Sequence, residues 1–246
     1  MQIEEIFEAD KRLNKKKRTT PLLNSPFLDE IADRKIFIKA ECLQHTGSFK
    51  FRGAYSAISS IPVERRKKGV IAYSSGNHAQ GVAFAAKIHK IPATIIMPED
   101  APRIKIQNTK DLGAEVILYD RLSESREKIG QKISKERLLS LIPPYDHNDV
   151  IAGQGTVGLE IASQAKQIGI GHADVLVCCG GGGLTSGIAV ALSNLMPNFV
   201  TRPVEPEGFD DVVRSLKIGE RQINKKISGG LCDAIITPTP GELTFP

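Results

Sequence analysis

The stretch Val175–Thr201 constrains this chain most: it carries no charged residue and is split by four consecutive glycines, Gly180–Gly183. A charge-free run of that length raises the question of a membrane span. The glycines, Asn194 and Pro197 interrupt it, and the apolar helix within it, Leu184–Met196, is too short to cross a bilayer. It reads instead as a buried strand, a glycine turn and a buried helix. Short β-branched runs alternate with amphipathic ones along the rest of the chain, which predicts parallel sheets covered by helices. Strands are expected at Lys35–Ala40, Gly69–Ser74, Ala93–Met97, Glu115–Leu118, Asp174–Cys179 and Val200–Glu205. Helices are expected at Phe51–Ile61, Asn77–His89, Pro102–Leu112, Leu122–Leu141, Thr156–Ile168, Leu184–Leu195 and Asp211–Lys217.

Two breaks divide this pattern: Ile61-Pro62 with the charged Glu64–Lys68, and Pro143-Pro144 through Asp149. They predict a large domain from residues 1–68 and 147–246, with a smaller lobe, 69–146, inserted into it. The 246 residues suffice to bury a core. The net charge of +5 is concentrated at Lys15, Lys16, Lys17 and Arg18, which read as a solvated helix end. With aromatics at 5% and no Trp, nothing resembles a nucleic-acid surface, so neither nucleic acid nor membrane is an expected partner. Cys42, Cys178, Cys179 and Cys232 lack metal-ligand spacing, and the amino terminus does not read as a signal peptide. Reduced thiols and a cytoplasmic location are expected.

Three segments lie where a strand ends or a helix begins, the places at which open α/β sheets bind ligands. In the first, Gly180, Gly181, Gly182 and Gly183 allow free backbone N–H groups to wrap an anion, with the helix dipole adding attraction. A tight turn permitting close helix packing is the alternative. The second is Thr46-Gly47-Ser48-Phe49-Lys50-Phe51-Arg52-Gly53. Desolvation of Lys50 between Phe49 and Phe51 would depress its pKa and free the amine as a Schiff-base nucleophile; an ordinary surface lysine is the alternative. In the third, Ser74-Ser75-Gly76-Asn77-His78-Ala79-Gln80-Gly81, hydroxyls and helix N–H groups suit a carboxylate. Ser and Asn are also ordinary helix caps. Together, a phosphate cup, a nucleophilic lysine and a carboxylate cradle are what a pyridoxal-phosphate enzyme acting on an amino acid requires.

Through these residues the chain resembles the fold type II pyridoxal-phosphate-dependent enzymes, in the threonine/serine dehydratase and serine racemase branch. Thr19-Thr20-Pro21-Leu22, Glu41–Lys50 with Arg52-Gly53-Ala54, Ser74–Gly81, Ala152-Gly153-Gln154-Gly155-Thr156 and the tetraglycine loop carry the resemblance, from about residue 19 to the last. It implies two open, twisted, mostly parallel α/β sheets flanked by helices, as in the tryptophan synthase beta-like fold. Lys50 would bind pyridoxal 5'-phosphate as a Schiff base and take the α-proton on one face. Ser75 would sit on the opposite face, where racemases of the family use that serine as a second acid/base. Phe49 would pack on the cofactor ring, Asn77 would bond its hydroxyl, and Gly180–Gly183 would hold the phosphate. Ser74, Ser75, Gly76, Asn77 and His78 would receive the carboxylate of a small amino-acid substrate. The implied reaction is deamination of L-threonine or L-serine to a 2-oxo acid and ammonia, with racemisation as a side activity, in a homodimer.

Glu205 and Asp211 flank a turn through Phe209, and two carboxylates so spaced suit a hard divalent cation or a solvated turn capping the next helix. In metal-activated members of the branch the matching ligands are Glu205, the Phe209 carbonyl and Asp211, which implies an activating Mg2+ or Ca2+. By the same resemblance Ile236–Pro246 correspond to the middle of the large domain, whose later strands, with a Ser or Thr for the pyridine nitrogen, lie beyond them. That implies a large domain incomplete at its carboxyl end. Two expectations of different classes follow: a dehydratase with impaired activity, or a noncatalytic cofactor-binding or interaction protein of this fold. β-Replacement of the cysteine synthase type fits the wording of the motifs less well.

Overall fold

The computed structural model describes residues 1–74, 76–226 and 229–246. Its first half comprises α1 (Ile3–Leu13), β1 (Leu22–Asn24), α2 (Pro26–Ala32), β2 (Phe37–Lys39), α3 (Lys50–Ser60), α4 (Val63–Arg66), β3 (Val70–Tyr73), α5 (Asn77–His89) and β4 (Ala93–Pro98). There follow α6 (Arg103–Asp111), β5 (Glu115–Tyr119), α7 (Arg126–Arg137), β6 (Ser140–Leu141), α8 (Asn148–Gln167), β7 (Ala173–Cys178), α9 (Gly183–Leu195), β8 (Phe199–Val204) and α10 (Asp211–Ile218).

Four strands form an all-parallel sheet in the order β5-β4-β3-β6. Every residue of β4 is buried, as a strand covered by helices on both faces must be. A core around β3, β4, α3 and α5 includes Phe51, Ile58, Val70, Ile95 and Met97. β7 and β8 form a second parallel pair, packed with α8 and α9 through Val157, Val177, Ile188, Leu192 and Phe199. β1 and β2 make a short antiparallel ribbon. The fold is thus the expected α/β class. Among the described residues no helix is long and apolar enough to cross a membrane.

The strand order positions the site. From β3 the chain steps outward to β4 and β5, then returns to the far side of β3 for β6. Such a reversal opens a crevice at the carboxyl ends of the two diverging strands. Here β3 leads into Ser74–Asn77 and β6 into Ile142–Asp149.

Helix α8 is the axis against which α1, α3 and α9 pack. It begins at Asn148, eight residues before the expected Thr156. Gly153 and Gly155, which lie before the expected start, are contact points within the helix. A Cβ on Gly153 would lie 2.5 Å from the Arg52 carbonyl oxygen, one on Gly155 would lie 2.9 Å from that of Gly187, and one on Gly158 would lie 2.7 Å from Ala191 Cβ. Hydrogen at these positions lets α3 and α9 approach at backbone distance. The expected helix 122–141 is also shorter, covering Arg126–Arg137. Leu138 takes a left-handed conformation (φ 56°) that ends it, freeing Ser140–Leu141 to pair with β3. Lys17, read as part of a solvated helix end, lies 2.7 Å from Glu160 and is largely buried.

Candidate active site

The segment before α3 delivers Lys50 through a sharp turn: Thr46 (φ 59°) and Gly47 (φ 72°) both adopt left-handed backbone. The Thr46 hydroxyl donates to the carbonyl of His45 at 2.6 Å, a local bond that favours such a conformation. Phe49 and Lys50 then enter α3, and Lys50 Nζ donates to the Pro144 carbonyl at 2.6 Å, 5.2 Å from the centroid of the Phe49 ring. Burial pushes the Lys50 ammonium down to about 8. This is the direction its apolar flanks predict. α5 crosses close above: a Cβ on Gly81 would lie 3.0 Å from the Lys50 carbonyl carbon.

At the end of β3, the N–H of Gly76 donates to Ser74 Oγ at 3.2 Å, and α5 starts at the exposed Asn77. Ser75, expected to be an acid/base, lies outside the described residues. The His78 side chain turns inward, where its Nε2 meets the Ile142 carbonyl at 2.9 Å. Burial, with the nearby Lys50 charge adding to it, pushes the His78 imidazole down to about 3. The ring is therefore neutral across the working range of an enzyme and ties α5 to the segment after β6.

Across the crevice, β7 ends beside the buried Cys179 and the chain turns through Gly180–Gly182 into α9, with Gly182 at φ 91°. At Gly181, Gly182 and Gly183 a side chain would collide with its surroundings. A Cβ on Gly181 would overlap the Tyr145 ring, one on Gly182 would lie 2.7 Å from Thr244 Oγ1, and one on Gly183 would lie 2.7 Å from Gln154 Oε1. Both amide atoms of Gln154 and the hydroxyl of Thr185 are buried without a hydrogen-bond partner among the described residues. Unpaired donors beside a helix N-terminus make an environment that an anion would complete.

Phe49, Lys50, Ser74, Gly76, Asn77, His78 and Gly180–Gly183 all line one cleft of about 360 Å³. Sequence reasoning missed other members of this wall. Pro144 and Tyr145 carried no signal beyond the proline break, and Gln154 stood in the Ala152–Thr156 motif without being assigned a role. Lys105 and Arg126, which no motif singled out, also line the cleft. Lys105 Nζ lies 3.4 Å from Asp233, and Arg126 lies over the Tyr73 ring at 5.4 Å, paired with Glu127 at 2.8 Å.

Glu205, Phe209 and Asp211 lie apart from the cleft, at the start of α10. The Glu205 oxygens accept the N–H groups of Val212 (2.8 Å) and Val213 (2.9 Å), capping that helix. Asp211 Oδ1 accepts from Asn224, whereas its Oδ2 is buried and unpartnered among the described residues. Burial raises both carboxyls, and each is raised or lowered further by its neighbours without reversing that direction. Among the described residues no three His, Cys, Asp or Glu side chains cluster as a metal site.

The family described as "Pyridoxal-phosphate dependent enzyme" matches residues 13–246. An L-threo-3-hydroxyaspartate ammonia-lyase of Pseudomonas sp is 43% identical over 243 residues, 98% of this chain and 74% of that protein. A serine racemase of Schizosaccharomyces pombe is 44% identical over 217 residues, 88% of this chain and 66% of its own length. Among solved structures, a threonine deaminase from T.th. superposes with a TM-score of 0.94 at 40% identity, covering 100% of this chain and 78% of that one. Its relatives by name are thus amino-acid ammonia-lyases and racemases. The chain belongs to the pyridoxal-phosphate-dependent enzymes of fold type II, in the branch of the threonine deaminases and serine racemases.

Proposed function

We propose that this chain is a pyridoxal-phosphate-dependent ammonia-lyase that deaminates L-threonine and L-serine to the 2-oxo acid, with racemisation as a side activity. The observation that carries this reading is the setting of Lys50: a lysine amine held near pKa 8 shares one cleft with a glycine cup and the start of α5. The residues fit the cofactor. The glycine loop excludes side chains, the unpaired Gln154 and Thr185 groups lie beside it, and the amine is destabilised as an ammonium.

When bound, pyridoxal phosphate supplies an electron sink for the pair left on the substrate's α-carbon. The protein's task is then orientation and proton placement. N–H groups of Gly180–Gly183 and the start of α9 would hold the phosphate, and Asn77 the ring hydroxyl. Phe49 would line the ring. Lys50 Nζ would hold the cofactor covalently and, once displaced, take the α-proton on its face. Ser75 is proposed as the acid/base of the other face. Ser74 Oγ and the free N–H groups opening α5 would orient the substrate carboxylate. In this reading the lobe from 69 to 146 is the substrate side of the cleft. Exposed Leu23, Phe27, Ile31 and Ile38 on β1, α2 and β2 suit pairing with a second copy of the chain.

A second substrate reading is favoured by Lys105 and Arg126. Two cations on the cleft wall suit a second carboxylate, as in L-threo-3-hydroxyaspartate. Oxo acid released from threonine, serine and 3-hydroxyaspartate separates the two. If Arg126 binds the second carboxylate, Arg126→Met should lower kcat/KM for hydroxyaspartate by about 10- to 100-fold and leave threonine turnover within about twofold. Equal losses on both substrates would remove Arg126 from substrate recognition. No oxo acid from any substrate, with cofactor fixed at Lys50, would favour the noncatalytic reading.

We also propose that Glu205, the Phe209 carbonyl and Asp211 hold Mg2+ or Ca2+, on the strength of the unpartnered Asp211 Oδ2 and a second, half-buried carboxylate at Glu205. The ion would neutralise two carboxylates that burial disfavours as anions, and would stabilise the turn without touching the bond that breaks. Millimolar Mg2+ should raise the Tm of the chain by a few degrees and should leave Asp211→Asn unmoved. An equal rise in both proteins would refute the site.

A further inference from the structure

The parallel strands β3 and β4 open the cleft at their carboxyl ends and gather positive charge at the opposite edge of the sheet. α4 finishes just before β3 and α5 just before β4, so both helices end there. The two connections touch: a Cβ on Gly69 would lie 2.8 Å from the Pro92 carbonyl oxygen. The end of α4 brings Arg65, Lys67 and Lys68 to this edge, and the end of α5 brings Lys87 and Lys90. The turn after α1 extends the same surface with Lys15, Lys16 and Arg18. His45 Nε2 lies 2.9 Å from the Lys16 carbonyl oxygen, and its ring is 5.0 Å from that of Phe84 on α5. Burial, then the charges of Arg66 and Lys16, push the His89 imidazole down to about 4. Residues far apart in sequence thus share one face, whereas composition showed only the cluster at 15–18.

A basic last turn complements a helix dipole, which accounts for a cation or two at each helix end. It does not account for eight exposed ones, of which Lys67 alone makes an ion pair among the described residues, with Glu64 at 2.9 Å. Their charge exceeds the net +5 of the whole chain, so the rest of the chain is net negative. Exposed aliphatic side chains are set among them. Val63 opens α4, the Leu43 carbonyl receives Arg18, and Leu138 precedes Leu139, whose Cδ2 packs on Gly69. The aromatic rings beneath, Phe51, Tyr55 and Phe84, are not exposed, so none is offered to a nucleic-acid base. Unpaired cations on helix ends and turns, interleaved with aliphatic groups, complement an anionic layer that has an apolar one beneath it. We propose that this edge rests on an anionic lipid bilayer, with its Lys and Arg side chains among the headgroups and Val63 and Leu138 at the acyl boundary. The chain would lie on the membrane without crossing it, and the cleft, at the other edge of the sheet, would stay open to solvent.

Sedimentation of the full chain with vesicles tests this assignment. It should bind vesicles of phosphatidylcholine with phosphatidylserine but not phosphatidylcholine alone, and high salt should release it. Arg65→Gln with Lys68→Gln and Lys90→Gln should weaken binding by about 100-fold. Lys217→Gln with Lys225→Gln and Lys226→Gln, which removes three exposed lysines on and after α10, should leave it within about twofold. All six side chains are exposed, so their loss should leave folding intact. Leu138→Gln should weaken vesicle binding by severalfold, because it removes a group that enters the apolar layer. Failure to bind phosphatidylserine vesicles, or equal losses in the two triple variants, overturns the proposal. So does tighter binding to duplex DNA or polyglutamate that is insensitive to Leu138→Gln, because the surface would then belong to a charged polymer.

Discussion

Replacing Lys50 with alanine should abolish covalent attachment of pyridoxal phosphate and lower turnover by about 100- to 10,000-fold, the range expected when a positioned acid/base is lost. The physical ground is the amine's setting. With its pKa near 8, about one amine in ten is unprotonated at pH 7, against fewer than one in a thousand at the ordinary lysine value. Reaction at Nζ should therefore speed up as pH rises through 8 and level off above it. Borohydride reduction of the cofactor-loaded protein should fix the label on Lys50, and the Lys50→Ala protein should show no visible band. Lys39 provides an internal control. Burial lowers its pKa too, but it is 2.6 Å from Glu160 and lies outside the cleft. Label on Lys39, or spread over surface lysines, would dismiss Lys50 as the attachment point.

What could be read from the sequence and what could not divide along physical lines. The β-α alternation was legible because strands buried on both faces must be largely apolar, as Ala93–Pro98 is apart from Thr94. Lys50, Asn77 and the glycine loop were legible because each sits at a strand end or helix start, where side-chain type reports backbone function. The Pro144 carbonyl that holds Lys50 was not, because a backbone oxygen has no letter of its own. Helix α8 was placed too late, since what a glycine does in a helix depends on neighbours that the local sequence leaves unknown. Gly153 is where α3 comes within backbone distance of α8. Lys17 was misread for a related reason: its partner, Glu160, is 143 residues away. No local pattern links them.

That same long-range network carries the largest expected effect on stability. Arg52 is fully buried, and its guanidinium reaches Glu41 at 2.7 and 2.8 Å and Glu160 at 2.8 and 3.0 Å. Glu160 also receives Lys17 at 2.7 Å and Lys39 at 2.6 Å. Arg52→Met should cost about 3–5 kcal/mol, because it leaves two carboxylates facing apolar volume with fewer cations to balance them. Most of that cost is the penalty of the stranded charges, so Arg52→Met with Glu160→Gln should be destabilised by less than the two single changes added. Urea midpoints at constant m would measure this, and strict additivity would show that the pair is not coupled. The acid limb supplies an independent check. Although burial opposes its ionisation, the Arg52, Lys17 and Lys39 contacts hold the Glu160 carboxyl down to about 2, from 4.5. Its folded-state pKa is the lower one, so its stabilisation is complete above pH 4.5 and drains away as pH falls from there towards 2. Glu160→Gln should therefore flatten that part of the stability curve. Since Arg52 stands two residues from Lys50 on the same first turn of α3, the network also anchors the helix start that carries the amine into the cleft.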